Sequence, residues 1–265
     1  MKFRLSSYKK ALFAALIMLI LIPQSVFAQS EKPKNLMMYD QQPYHFGFII
    51  GLNKMSYVVD YKDSYQFIEH PSDEFISGDV YSFNPDETYY VNSMMPVASY
   101  GFSVGVVGNL RLDNHFDLRL IPSLSFGSRD IEYHIFSKDT GTRQRFKKDL
   151  FSTFMEFPLL IKYKSKRHNN FAAYVIGGGD FKIDLTSQKK DKTDDGNTKN
   201  IKVKRADIAA EIGAGVDFYT GYFKFGVEAK WSFGLLDIMD PQGKIYDTSI
   251  NGLHDRMFLI SLTFE

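Results

Sequence analysis

The chain has 265 residues, a length that suits one barrel or sandwich domain. Its formal net charge is +1 at pH 7, so no global electric field favours binding to nucleic acid. Cysteine is absent, which excludes disulfide bonds, thiolate metal sites and a lipid anchor on an N-terminal cysteine. Aromatic residues make up 15% of the chain, as expected for a barrel with an apolar outer band and aromatic girdles.

Residues 1–28 have the pattern of a cleaved secretory signal peptide. Basic residues, among them Lys2 and Arg4, precede an apolar stretch over 11–22. That stretch is too short for a transmembrane helix, which needs about 20 apolar residues. The small residue before position 29 predicts cleavage between Ala28 and Gln29. We therefore expect an exported protein.

After residue 43, apolar and polar residues alternate in the manner of β-strands that have one apolar face. In the first run, Tyr44, Phe46 and Phe48 share one face, and His45 and Gly47 share the other. Similar runs begin near Tyr100, Phe116, Met155, Phe171, Ile208, Phe223 and Phe258. The sequence therefore predicts an all-β fold, an eight-stranded antiparallel up-and-down transmembrane β-barrel over residues 44–265.

Long and short connections alternate between the predicted strands. A long loop over 60–97 follows the first strand, and a tight turn at 113–115 follows the second. Outer-membrane barrels have short periplasmic turns and longer external loops. We therefore predict a location in the cell outer membrane, with the loop external and both mature termini periplasmic. Residues 29–43 would form a periplasmic arm.

A water-soluble, lipocalin-like cup with an apolar interior is the alternative fold. The interior of an eight-stranded barrel is only wide enough to be filled by side chains. The aromatic face of these strands is bulkier than such an interior could hold, and charged residues lie on the opposite face. This favours the inverted arrangement, with aromatic side chains toward lipid.

Charged side chains on the polar face would line the barrel interior. The candidate residues are Arg119, Glu156, Lys162, Asp180, Glu211, Glu228 and Lys230. Because buried charges must be paired, we favour a salt-bridged polar plug over the alternative of a proton or solute path, or an acid–base pair. No nucleophile or orienting histidine accompanies them, and no motif has the spacing of metal ligands. We predict no catalytic activity, no cofactor and no metal site.

Three segments resemble parts of known outer-membrane proteins. Residues 156–163, EFPLLIKY, resemble a strand that is widespread among outer-membrane barrels of the Bacteroidota. The last strand resembles the C-terminal signal that the barrel assembly machinery recognises, with the departure that Glu265 ends the chain. The most specific likeness combines Lys34-Asn35-Leu36, Tyr39-Asp40 and residues 44–55, and it is similar to the start of the PorT family, called SprT in gliding bacteria.

The PorT/SprT resemblance implies a non-enzymatic component of the type IX secretion system, which exports proteins across the outer membrane and supports gliding motility in some species. The implied partners are other components of that system, besides outer-membrane lipid and the barrel assembly machinery.

Partner contacts are expected on the arm and on the aromatic-rich loop, because exposed aromatic clusters mark docking surfaces. The candidate contact residues are Asn35, Leu36, Tyr39, Asp40, Tyr65, Phe67, Phe75, Tyr81 and Phe83. Two other functions stay open, namely a passive small-solute channel or binding barrel, and a surface adhesin that acts through its external loops.

Overall fold

The computed structural model describes residues 33–71, 87–186, 203–240 and 248–265. Residues Lys34–Glu265 form one compact unit. The predicted signal peptide with its cleavage site at Ala28 and Gln29 lies outside the described residues, as do Phe75, Tyr81 and Phe83. The strands are β1 (Tyr44–Tyr61), β2 (His70–Pro71), β3 (Thr88–Arg111), β4 (Phe116–Leu120), β5 (Ser123–Ser137), β6 (Arg143–Lys164), β7 (Phe171–Asp184), β8 (Ala206–Tyr219), β9 (Lys224–Gly234) and β10 (Ile250–Phe264).

All strands belong to one antiparallel sheet that closes on itself. The first long strand, β1, pairs with β10 on one side and with β3 on the other. Between them the order runs β10, β9, β8, β7 and β6, and β6 is joined to β3 through β4 and β5. A sheet whose first and last strands pair has no free edge along their shared register, which defines a barrel.

The described residues contain ten strands, so the predicted count of eight is not confirmed. The predicted third strand is divided into β4 and β5 at Ile121-Pro122, where proline lacks the N–H that a ladder requires. Both pieces lie between β3 and β6. The remaining extra strand, β2, spans two residues and pairs only with the beginning of β3.

The predicted loop over 60–97 is too long at both ends. Strand β1 continues to Tyr61, and β3 begins at Thr88 and is 24 residues long. Residues 88–97 are a strand and not a loop because the extended end of β5 supplies their ladder partner. For the same reason β5 and β6 are joined by the short connection 138–142, where the alternation of long and short connections fails.

The two ends of the barrel differ and are named here by their connections. The terminal rim carries Tyr44, Glu265 and the short connections 112–115, 165–170 and 220–223. The loop rim carries the opposite strand ends, from which 62–87, 185–205 and 235–249 depart.

An apolar band surrounds the barrel on its outward face. Phe46, Phe48, Leu52, Ile161 and Ile212 are among its exposed side chains. Its aromatic rings form cross-strand pairs, which stabilise neighbouring strands. These pairs are Phe48–Phe264 (4.9 Å between ring centroids), Phe116–Tyr163 (5.1 Å), Phe102–Phe126 (4.8 Å) and Trp231–Phe258 (4.6 Å).

Beyond this band, toward the loop rim, the polarity of the two faces is reversed. On the outward face of β5, Asp130 pairs with Lys147 at 2.9 Å and Glu132 pairs with Arg145 at 3.1 Å. The enclosed face there is apolar and forms the largest hydrophobic cluster, which we call the apolar plug. It consists of Tyr57, Val59, Tyr89, Val91, Met94, Ile131, Tyr133, Ile135, Leu150, Ile238, Met239, Ile250 and Leu253. Strands β3, β5 and β6 therefore project past the apolar band as a conventional water-facing sheet.

Candidate functional site

The seven charged residues predicted to line the interior all lie inside the barrel. Each is at most 4% exposed, although they come from five different strands. The structure brings four of them together as direct ion pairs. Arg119 Nη1 lies 2.9 Å from Glu228 Oε2, and Lys230 Nζ lies 2.7 Å from Glu211 Oε2. Lys162, Glu156 and Asp180 pair with residues outside the predicted set.

The half of the interior near the terminal rim is a connected network of ion pairs. Arg119 bridges Glu228 and Glu265, at 2.9 Å from each. Glu265 also accepts from Lys224 at 2.7 Å, and Lys224 lies 3.9 Å from Asp217. Lys162 joins the network through Asp217, at 2.7 Å, and Lys164 and Asp117 form a separate ion pair at 2.9 Å.

The half toward the loop rim is built around Arg129 and Lys182. Arg129 reaches Asp184 at 2.9 Å and Asp255 at 3.2 Å. Its guanidinium also lies against the rings of Tyr57 and Phe154, with 4.7 and 4.5 Å to their centroids. A cation between aromatic faces is stabilised by the ring quadrupoles. Arg129 therefore marks the border between the charged interior and the apolar plug.

Several members of these networks were missed by reasoning from sequence. They are Asp117, Arg129, Lys164, Lys182, Asp184, Asp217, Lys224, Asp255 and Glu265. The alternation that identified the predicted set puts all of these residues except Asp255 and Glu265 on the same polar face of their strands, so the signal was present in the sequence. Glu265 was read only as a departure from the assembly signal, whereas its carboxylate closes the terminal network.

The arm residues predicted to bind a partner contact the barrel. Asn35 donates its backbone N–H to Asn170 at 2.8 Å and its side-chain amide to the carbonyl of Tyr219 at 3.0 Å. Asp40 accepts from the Tyr219 hydroxyl at 2.9 Å. Leu36, in a left-handed conformation with φ of 51°, is half-buried. Together with Tyr39, these residues fix the arm across the terminal rim.

Arg167, in the turn between β6 and β7, holds the arm in place. Its guanidinium donates to the carbonyl of Asn35 and lies 3.6 Å from the carboxylate of Asp40. Its guanidinium carbon, Cζ, lies 3.8 Å from the ring centroid of Tyr219. Such a combination of forked donors and a flat face is specific to arginine.

Tyr39 is the aromatic anchor of the arm. Its ring stacks on His45, and Lys224 lies 5.1 Å from its centroid. Burial raises the pKa of the Tyr39 hydroxyl above its usual value, although Lys224 opposes this. The hydroxyl therefore stays protonated and donates to Glu265 at 3.4 Å.

The loop residues of the predicted contact set divide between two environments. Tyr65 stacks on Tyr61 with 5.5 Å between ring centroids and packs against the apolar plug. Phe67 is 77% exposed and is free to meet another molecule.

Within the described ranges, no group of histidine, aspartate or glutamate side chains has the geometry to hold a metal ion. Over the same residues, no helix is both long and apolar enough to cross a membrane.

Comparison with known proteins defines the family. Residues 27–240 match the family described as outer membrane protein beta-barrel domain. The chain belongs to this family. It is an outer-membrane β-barrel protein, so the apolar band faces lipid and the ion-paired interior is enclosed by the barrel wall.

Among solved structures, the chain is similar to the outer membrane protein OprG from Pseudomonas aeruginosa, with 11% identity and a TM-score of 0.39. The alignment covers 83% of this chain and 94% of that one. A similarity this distant supports no functional comparison. Curated proteins provide no match.

Proposed function

We propose that this outer-membrane barrel is a non-enzymatic, non-conducting component of type IX protein secretion that acts through protein–protein contacts. The observation that carries the proposal is the filled interior. Ion pairs occupy the section inside the apolar band, and the apolar plug occupies the section beyond it. A barrel packed in this way offers little space for a solute path. Its function is therefore expected to reside in the contacts that its surfaces make.

The assignment to type IX secretion rests on the likeness of residues 34–55 to the start of the PorT/SprT family. The same residues form the docked arm and the first strand. A fixed arm suits a protein that presents a defined surface to a partner, because less backbone ordering entropy is lost when the partner binds.

In this proposal the terminal rim faces the periplasm and the loop rim faces outward, as short turns and longer connections suggest. Met37 and Met38 are then the contact residues of the arm, since they are 73% and 67% exposed while their neighbours bind the barrel. Exposed methionines are adaptable contact residues.

The test is secretion of a type IX cargo in the native host after deletion of the gene. Cargo retained in the periplasm and restored by the intact gene would support the proposal. Normal secretion would overturn it. A truncation of residues 29–42 should also fail to restore secretion while the barrel still folds.

Matched point variants distinguish the two ends of the barrel. Replacing Met37 and Met38 by serine should impair secretion, whereas Phe67→Ser, an equally exposed change near the loop rim, should leave it intact. If Phe67→Ser impaired function and the methionine changes did not, a surface adhesin that acts through its external loops would be favoured. Ion conductance of the purified protein in planar bilayers would favour the channel.

A further inference from the structure

The two halves of the barrel interior differ in charge balance. Near the terminal rim, four carboxylates (Asp117, Asp217, Glu228 and Glu265) face four cations (Arg119, Lys162, Lys164 and Lys224). Toward the loop rim, the buried interior side chains of the described residues comprise six carboxylates (Glu156, Asp180, Asp184, Asp207, Glu211 and Asp255) and three cations (Arg129, Lys182 and Lys230). The second half therefore has twice as many acids as bases.

The surplus of carboxylates in this half is concentrated around Lys182. Its ammonium nitrogen lies 3.3 Å from Asp255, 3.6 Å from Glu156 and 4.0 Å from Asp180. Asp255 has a second cation in Arg129. Glu156 and Asp180 have no other cation within salt-bridge distance among the described residues, so these two carboxyl groups depend on one shared ammonium.

Each of these two carboxyl groups has one satisfied oxygen and one without a partner. Glu156 Oε2 accepts from Ser125 at 2.7 Å, and Asp180 Oδ1 accepts the backbone N–H of Phe157 at 3.0 Å. Glu156 Oε1 and Asp180 Oδ2 are buried and lack any hydrogen bond. Both are the oxygens that lie nearest Lys182. A buried carboxylate oxygen without a donor is costly in an enclosed interior.

A chain of hydrogen bonds fixes which oxygen of Glu156 is free. The amide of Asn53 donates to Ser103 at 2.8 Å, the hydroxyls of Ser103 and Ser125 lie 2.7 Å apart, and Ser125 donates to Glu156 Oε2. Oε2 of Glu156 therefore has a hydrogen-bond donor, whereas Oε1 has none.

The hydroxyl of Ser232, which lies beside Glu211, also has no hydrogen-bond partner. Ser232 is opposite Glu211 in the register of β8 and β9 and is 1% exposed. Unpartnered buried atoms also occur in the balanced half, among them Glu228 Oε1 and Arg119 Nε. However, Glu228 has Arg119 to itself apart from Glu265, whereas Glu156 and Asp180 share Lys182 with Asp255.

We propose that Glu156 and Asp180 form a proton-binding pair, in which one of the two is a neutral carboxylic acid in the folded barrel at neutral pH. Two carboxylates that share one counter-ion repel each other, and a single bound proton removes the repulsion. The proton also converts one unpartnered acceptor into a donor.

The charged groups around Asp180 come from every strand that packs against it. They are Lys182 on β7, Glu156 on β6, Glu211 on β8 and Lys230 on β9, with Asp255 of β10 across Lys182. Lys230 is engaged at 2.7 Å by Glu211, so it adds little compensation to the pair. This inference concerns the barrel itself and holds whether or not the protein serves secretion.

Infrared spectroscopy of the folded protein in detergent tests the proposal directly. A protonated carboxylic acid has a carbonyl stretch separate from the amide and carboxylate bands, and this stretch shifts in D2O. We expect it in the wild-type protein at pH 7, and we expect the double variant Glu156→Gln/Asp180→Asn to lose it. A wild-type spectrum without the band, or a band that persists unchanged in the double variant, would overturn the proposal.

Stability supplies a second readout with a matched control. Asp180→Asn imitates the neutral acid and keeps the acceptor for Phe157, so its urea midpoint should equal or exceed that of the wild type. Asp217→Asn removes a carboxylate of the balanced half that Lys162 contacts at 2.7 Å, and should lower the midpoint clearly.

The pH dependence follows from the bound proton. A proton held in the folded state contributes stability that is lost as pH rises, so the wild-type midpoint should fall between pH 7 and pH 9 while that of Asp180→Asn changes less. An Asp180→Asn midpoint lowered as far as that of Asp217→Asn at both pH values would contradict the pair.

Discussion

The ring of Tyr39 lies flat on the imidazole of His45, with 3.9 Å between the ring centroids and 9° between the ring planes. One ring belongs to the arm and the other to the first strand of the barrel. Tyr219 meets Tyr39 edge-on from β8 at 6.1 Å. The arm is therefore anchored by aromatic packing in addition to the polar bonds of Asn35 and Asp40.

Tyr39→Ala should detach the arm and leave the barrel folded. The change removes an aromatic contact of about 0.5–1.5 kcal/mol together with buried apolar area. Limited proteolysis in detergent should then cleave the arm faster, while the mobility shift of the folded barrel on unheated gels stays the same. Tyr39→Phe keeps the stack and loses only the bond to Glu265, so it should cleave almost as slowly as the wild type. Equal protection of the alanine variant would show that the stack does not hold the arm.

Arg119→Met should destabilise the barrel strongly. The guanidinium is completely buried between Glu228 and Glu265, and its loss leaves two enclosed carboxylates short of a partner. Breaking a buried pair from one side costs about 3–5 kcal/mol. Urea unfolding in micelles measures this, and adding Glu228→Gln should recover part of the loss.

The exposed pair of Lys138 and Glu69 is the control for Arg119. Both side chains are more than half exposed, so Lys138→Ala should leave the unfolding midpoint unchanged because water and salt screen such pairs. A small effect of Arg119→Met, comparable with that of Lys138→Ala, would mean that the interior network contributes no stability.

The alternation along each strand made the two faces of the barrel predictable. Successive side chains of a strand point to opposite faces, so placing Phe46 outward and Asn53 inward needs only local sequence. The same rule placed Asp180 and Glu211 in the interior. It could not say which acid meets which base, because Arg129 and Asp255 are 126 positions apart and meet across the interior from strands that do not pair with each other.

The projecting ends of β3, β5 and β6 were hidden from sequence reasoning for a different reason. There the inward residues, such as Tyr89 and Ile131, are apolar and the outward ones are charged, which reverses the pattern of the band. A segment whose pattern is reversed reads as a loop when the barrel pattern is the template. Docking of the arm was equally hidden, since Arg167 reaches Asn35 across 132 positions.

Asp237 makes the loop rim sensitive to acid. Although partial burial opposes it, hydrogen bonds from the backbone N–H groups of Leu253 and Met239 hold the pKa of Asp237 below its ordinary value. Those bonds are 2.9 and 3.0 Å long. A lowered folded pKa gives stability that is present above the unfolded value of about 3.9 and is lost as pH falls through the folded one.

We therefore expect the amide signals of Leu253 and Met239 to titrate together in NMR spectra, with a midpoint below about pH 4. Asp237→Asn keeps an acceptor without a titrating charge, so these signals should stay constant over the same range. Signals that do not move with pH in the wild type would contradict the role of the carboxylate.

Gly178→Ala should disturb the seam between β6 and β7. A methyl group at this position would meet the backbone carbonyl of Leu159, which cannot move without breaking the ladder. Gly177 is the adjacent control, because a methyl group there finds its nearest neighbour, the carbonyl of Glu211, at 3.6 Å. Overpacking of this kind costs about 1–3 kcal/mol, whereas a tolerated glycine-to-alanine change is neutral or stabilising by about 0.4–1 kcal/mol. The urea midpoint of Gly178→Ala should thus lie below that of the wild type, and the midpoint of Gly177→Ala should lie at or above it. Equal midpoints of the two variants would show that β6 and β7 can move apart at this position without loss of stability.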